Sequence, residues 1–375
     1  MGKRFLFVME EWAGSGHRMA AQALAEELRL RSGVESTRIV GGLETASPAL
    51  RGLSRFFYLG MLRYAPPLWQ RLYEQESLWN AALKKPLGWW LSKRLIQELL
   101  LKEEPDVVVA THAYCLSALA HAKQKMDKPF HLVSIPTDFH INGFWVHPLI
   151  DTYIVAHEQL ADVLATDYQV SPEKIHVHGI PVRPDFSRAD IRDKPNWRVQ
   201  LGLEPEKFTV LISGGEGGHG GIKRVLQELL HVQEPMQIIV IAGKNARLHQ
   251  QLEAWLRQEE SLQHIVWIRG YEQQMWQWIG AADAYITKPG GISCAEALAM
   301  KTPLILYQPL PGQERRNSGF FMRNEAAIVA MCPEDIRTVI GRWRNKKQWE
   351  DAIMRMEVVR RPDSAQRTAE YLLGL

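Results

Sequence analysis

A chain of 375 residues with 46% hydrophobic, 23% charged and 9% aromatic residues is an ordinary globular sequence, and at roughly 100–200 residues per domain it predicts two domains. Normal apolar content with 27 Gly and 20 Pro excludes collagen-like and disordered classes; three scattered cysteines (Cys115, Cys294, Cys332) argue against a disulfide framework or a zinc site and favour a reducing compartment. The formal net charge of +3 conceals one segment, 51–97, that carries +6, which leaves the rest of the chain at −3.

The first apolar run, Phe5 to Met9, is followed at once by Glu10 and Glu11, which does not fit a secretion signal. No stretch approaches the ~18 apolar residues that span a bilayer, and Leu6 occupies the position where myristoylation requires Ser or Thr. The chain is therefore expected to be cytosolic or to lie on a membrane without crossing it. Candidate strands then follow in order: Arg4–Met9, Thr37–Val40, Asp106–Thr111, His131–Ile135, Thr152–Val155 and Lys174–His178. After them come Phe208–Ser213, Gln237–Ala242, His264–Ile268, Ala284–Thr287, Leu304–Tyr307 and Ala327–Ala330. Amphipathic helical patterns such as His17–Arg31 and Ile222–Leu230 fill most gaps. β-branched runs separated by helices predict parallel sheets in an α/β chain. The pattern runs twice, and Pro181, Pro184 and the polar stretch 187–197 place a linker near 184–196. Two doubly wound domains predict a ligand cleft at the carboxyl ends of the strands.

Segment 48–97 breaks the rhythm: Trp69, Trp89 and Trp90 alternate with Arg55, Lys84 and Lys85. Helices packed on a sheet edge would account for it. So would a surface docked on anionic lipid, where Trp and Tyr favour the headgroup level and each nearby Lys or Arg adds about 1 kcal/mol. Nucleic acid ranks last, because no nucleic-acid motif occurs elsewhere.

Four stretches carry chemistry. Gly14-Ser15-Gly16-His17 follows the first strand and opens a helix, where close backbone approach and a favoured neutral imidazole suit His17 as a base; a histidine that only ties a loop fits as well. Ser213–Gly221 holds six glycines between a strand and a helix, a backbone cradle for a pyrophosphate. Gly215–Gly220 reads G-x-G-x-x-G, yet the next strand ends Ala242-Gly243-Lys244 without the carboxylate that a dinucleotide site uses. In Lys288-Pro289-Gly290-Gly291, a strand gives way to a helix whose Glu296 could reach a diol or serve as a cap. Gln313, Glu314 and Asn317 cluster at a helix start, as sugar hydroxyls require.

Together these stretches, with Gly179–Pro184, resemble the monogalactosyldiacylglycerol synthases and processive diacylglycerol glucosyltransferases of glycosyltransferase family 28. The resemblance implies a GT-B fold of two doubly wound, Rossmann-like domains. It gives an acceptor-binding, membrane-facing domain over 1–186, a UDP-sugar domain over 197–355 and a carboxyl-terminal helix over 356–375 returning to the first. It implies an inverting, metal-free transfer of glucose or galactose from UDP-glucose or UDP-galactose to diacylglycerol or a related lipid, with no cofactor, at the cytoplasmic membrane face. His17 would serve acid–base chemistry and Asp138 would lie near the acceptor. Arg183, Gly215, Gly217 and Gly218 would meet the phosphates, Tyr271 the uracil, Glu296 the ribose, and Gln313, Glu314 and Asn317 the hexose. Gly290 and Gly291 complete the donor side; Gly14, Gly16 and Trp145, after Phe144, belong to the acceptor and membrane side with the basic aromatic segment. Three other readings compete: a glycosyltransferase of another lipid-linked acceptor of the peptidoglycan-precursor type, to whose N-acetylglucosamine-adding enzyme the chain is more distantly similar; a UDP-sugar isomerase or NAD(P)-dependent enzyme on a similar scaffold; and a non-catalytic lipid-binding protein.

Overall fold

In the computed structural model, which describes residues 2–10, 14–65, 67–68, 85–259 and 263–375, the chain forms two compact units. The first gathers the residues up to Pro184 with Pro311–Gln313 and Asp363–Leu375; the second spans Asp185–Leu310 and Glu314–Pro362.

The first unit is built on strands β1 (Lys3–Met9), β2 (Val34–Gly41), β3 (Val107–Ala110), β4 (His131–Ser134), β5 (Thr152–Val155) and β6 (Ile175–Val177). They form one sheet in the order β2-β1-β3-β4-β5-β6, every pair parallel. The second unit uses β7 (Thr209–Ser213), β8 (Gln237–Ile241), β9 (Ile265–Arg269), β10 (Ala284–Thr287), β11 (Leu304–Tyr307) and β12 (Ile328–Ala330). Its sheet is also all parallel, in the order β12-β11-β10-β7-β8-β9. All twelve expected strands form, because runs such as Val107–Ala110 and Thr209–Ser213 are buried throughout, as parallel sheets covered on both faces require. The edge strand β2 is longer than its apolar run, since pairing with β1 carries the exposed Glu35 and Ser36 along.

Strand order creates two switch points. In the first unit β1 is flanked by β2 and β3, so the chain leaves the ends of β1 and β3 in opposite directions. In the second, β7 lies between β8 and β10, and the loops after β7 and β10 part in the same way. Open α/β sheets bind ligands at such points.

Helix α1 (Ser15–Arg29) lays Ala21, Leu24, Ala25 and Leu28 on Phe5, Phe7 and Val109 in the first core. Helix α2 (Pro48–Tyr64) starts at Ser47, whose hydroxyl accepts the Leu50 N–H at 3.4 Å, with Pro48 in the first turn. Helix α3 (Lys85–Leu95) buries Leu91 and Leu95. In the second unit α4 (Ile222–Leu229) packs Val225, Leu226 and Leu229 on Val210 and Ile238; α5 (Gly291–Ala299) and α6 (Gln313–Arg323) follow β10 and β11. The stretch read as a linker carries two short helices, Pro184–Arg188 and Lys194–Gln200. The latter buries Trp197 and Arg198, and Arg198 Nη2 reaches Asp283 at 2.6 Å, an anchoring that apolar periodicity does not reveal.

The last helix, α7 (Ser364–Gly374), places Ala365, Ala369 and Leu372 in the first unit's core. Ser364 Oγ donates to the Ile180 carbonyl at 2.7 Å, and Tyr371 stacks on His176 at 4.2 Å. His176, on β6, and His178, just beyond it, serve as the seat of this helix: His178 Nδ1 lies 3.3 Å from Thr368 Oγ1. Among the described residues no helix is long and apolar enough to cross a membrane.

Candidate active site

The glycine loop after β7 folds on itself. The N–H of Gly218 donates to the Gly215 carbonyl and that of His219 to the Gly214 carbonyl, each at 3.1 Å. Gly215, Gly218, Gly220 and Gly221 adopt positive φ, and a Cβ on Gly214 would strike the His219 backbone, so glycine is required there. Gly221 caps α4 without any side-chain bond, and Gly290 caps α5 in the same bare way. Two helix starts at one switch point thus present first-turn N–H groups and positive dipole ends without a capping side chain. The cavity at the start of α4, about 550 Å³, is lined by Gly218–Arg224, Gln227 and Leu248.

Three separate loops meet here. Lys288, the first residue after β10, runs its stem past Gly220, where a Cβ would lie 3.0 Å from Lys288 Cγ. Its Nζ donates to Glu314 Oε1 at 2.9 Å, with side chains only 16% and 8% exposed. Glu314 Oε2 accepts the Leu310 N–H at 2.8 Å, which fixes the carboxylate. Asn317, fully buried, donates through Nδ2 to the Pro289 carbonyl at 2.9 Å, joining α6 to the turn that opens α5. The His219 imidazole is held below its ordinary pKa by burial and by Lys288, against an opposing pull from Glu314. Glu296 is buried within α5. Gln313 is the first residue of α6 and groups with the first unit. Tyr271, beyond β9, is exposed and lies 5.1 Å beneath Lys244 Nζ; Lys244 also pairs with Glu216 of the glycine loop.

At the first unit's switch point, Gly14 caps α1 at φ 134° with no side-chain bond; Gly16 lies in the first turn. His17 is buried, its Nδ1 2.8 Å from the Thr111 carbonyl after β3 and 2.8 Å from Thr137 Oγ1 after β4. A carbonyl only accepts, so Nδ1 carries the proton and Nε2 keeps the lone pair. Burial pushes the His17 pKa down to about 4, partly offset by the Thr111 bond, so the ring is neutral at pH 7. His112 meets it edge-on at 4.5 Å. Asp138 is buried one residue beyond Thr137, and Arg183 follows β6 in the same unit. Glu10, at the end of β1, accepts the Leu43 N–H at 2.7 Å.

Of the basic aromatic segment, Trp69 and Lys84 lie outside the described residues, and Lys85 begins α3. Arg55 and Phe56 are exposed on α2, the latter 79%; Trp89 and Trp90 are 50% and 40% exposed on α3. Lys93 Nζ lies 3.9 Å over the Trp89 ring. Trp145, grouped with them from the sequence, is 7% exposed in the turn Gly143–Trp145, so its ring packs inside the unit instead of at a surface. From the sequence, Lys288 and His219 fall inside the quoted stretches without a role of their own, and Thr111 and Thr137 receive none. A lysine between a strand end and Pro-Gly-Gly was the available signal for the first; the threonine contacts depend on strand order.

Two doubly wound parallel sheets with glycine-capped helices at both switch points define the GT-B fold of glycosyltransferases. MurG of Acinetobacter baumannii shares it with a TM-score of 0.64 over 100% of both chains at 12% identity. Anabaena Alr3699/HepE, solved in complex with UDP-glucose, shares it with a TM-score of 0.57 over 100% of both chains at 15% identity. Residues 17–182 match the family model of monogalactosyldiacylglycerol (MGDG) synthase, and residues 193–318 that of glycosyl transferases group 1. Over 326 residues, 86% of this chain and 82% of the relative, the sequence is 30% identical to processive diacylglycerol beta-glucosyltransferase of Bacillus licheniformis. The chain belongs to the family of monogalactosyldiacylglycerol synthases and processive diacylglycerol glucosyltransferases, and it is a hexosyltransferase of the EC 2.4.1 type.

Proposed function

We propose that the chain transfers glucose or galactose, with inversion, from a UDP-sugar to the hydroxyl of diacylglycerol or a related lipid, as a peripheral protein at the cytoplasmic membrane face. The observation that carries this reading is the β7/β10 switch point, where two bare glycine-capped helix starts lie beside the Lys288–Glu314 pair. The Anabaena protein of the same fold was solved with UDP-glucose, and the Bacillus relative is named for diacylglycerol.

In this reading the glycine cradle and Arg183 bind the diphosphate, Tyr271 the uracil and Glu296 the ribose. Glu314, Gln313 and Asn317 orient the hexose; Asn317, being buried, acts by holding the Pro289 turn. His17 Nε2 takes the proton of the lipid hydroxyl as its oxygen attacks the anomeric carbon, with Asp138 on the acceptor side. The bond from that carbon to the β-phosphate oxygen breaks, its electron pair goes to UDP, and helix N–H groups stabilise the growing charge. The exposed rings of α2 and α3 with Arg55, Lys93 and Arg94 form the membrane face, on anionic lipid. The test is incubation with diacylglycerol vesicles and UDP-glucose or UDP-galactose, followed by mass spectrometry and NMR of the lipids. A β-linked hexosyl lipid is expected; an α-linked product would overturn inversion, and no glycolipid from either donor would overturn the reading.

A further inference from the structure

Lys288 is a cation at the second unit's switch point, paired with Glu314. It lies at the switch point beside the starts of α4 and α5, both positive dipole ends, and its side chain is mostly buried. Glu314 compensates, but on unequal terms. The carboxylate is fixed, since its second oxygen is held by the Leu310 N–H. Lys288 has a flexible stem, and Gly220 leaves it room to pass the phosphate-type loop. A cation on a long flexible stem, paired with a fixed anion near bare N–H groups, is a pair arranged to be exchanged.

We propose that Lys288 is the donor site's switching cation. With the site empty its Nζ is neutralised by Glu314; when a nucleoside diphosphate sugar binds, Nζ turns to a diphosphate oxygen and releases Glu314 Oε1 to accept a hexose hydroxyl. One ion pair thereby makes two substrate contacts, and the ammonium faces the β-phosphate oxygen that receives the electron pair as the glycosidic bond breaks. His219, which feels both charges, lies beside the exchange.

This inference rests on the UDP-sugar reading, and binding measurements separate the two. Affinities for UDP and for uridine are measured by calorimetry or ligand-observed NMR on the full chain, wild type, Lys288→Gln and Glu314→Gln. Lys288→Gln is expected to weaken UDP ten- to a hundredfold while uridine is unchanged, which also shows that the variant is folded. Glu314→Gln is expected to bind UDP at least as tightly as wild type, because the competing anion is gone, while turnover falls. If both variants weaken UDP and uridine alike, the pair is only structural and the switch is overturned. If wild type binds UDP and Lys288→Gln keeps the full preference over uridine, Lys288 is overturned and the donor reading stands. If wild type fails to bind UDP, the donor reading falls and this inference with it.

Discussion

The imidazole of His17 combines an unusual pKa with an assigned tautomer, and both have consequences that can be measured. With a pKa of about 4 instead of 6.5, the ring stays neutral across the physiological range. As the proposed general base, it would give a kcat/KM profile that is flat from about pH 7 down toward 5 and falls only as the pH nears 4. An ascending limb centred on 6.5 would assign the titration to a different group. His17→Ala should lower turnover by about 10²–10⁴-fold, with UDP binding unchanged. Asn317→Ala should cost about 1–3 kcal/mol by stranding the buried Pro289 carbonyl, read as a fall in the denaturant midpoint. At this scale the sequence displays Glu314 and Asn317 as a polar cluster, yet their partners lie on another loop, at Lys288 and Pro289. Residue type and local spacing announce a site; they do not announce who faces whom within it.

Among the elements, the loop after β7 is the one whose glycines are demanded by geometry. Gly214→Ala would drive a Cβ into the His219 backbone and open the turn. The expected result is loss of UDP binding with near-normal circular dichroism, since the strands on either side are unaffected. Helices α2 and α3 invite a different experiment. Phe56→Ser or Trp89→Ala should lower partition onto anionic vesicles several-fold, and added salt should lower it further, by screening the basic residues around them. Binding indifferent to both changes would overturn the proposed membrane face. Strands and helices were legible because continuous apolar runs and 3.6-residue periodicity report burial directly. The helix Lys194–Gln200 was not: its anchor is the side chain of Arg198, a charged residue buried by its bond to Asp283, which reads as solvated in any hydropathy pattern.

For the molecule as a whole, acid is the condition that tests the buried histidines together. His17 and His178 are held at about 4, and His112 well below its ordinary value, each mainly by burial. The unfolded chain takes up these protons near pH 6.5 and the folded chain resists, so acid favours unfolding. Stability is therefore complete above about 6.5 and declines as the pH falls toward 4, with His17 contributing about 3 kcal/mol of that loss. Thermal melts between pH 8 and 4.5 should show the decline, and His17→Gln should flatten it. The twofold α/β winding was legible from the alternation of strand and helix signals. The contacts of α7 with Ile180 and His176 span too many residues to be read from any window of sequence.

That helix also sets an order of events during synthesis. The hydrophobic centre of the first unit needs Ala365, Ala369 and Leu372, which leave the ribosome only after everything through Pro362 has been made. The amino-terminal sheet therefore lacks part of its core until the second unit has been translated. A nascent chain stalled before Ser364 should therefore protect its second unit from protease while its first unit remains open to cleavage, an inversion of the usual amino-to-carboxyl sequence of maturation.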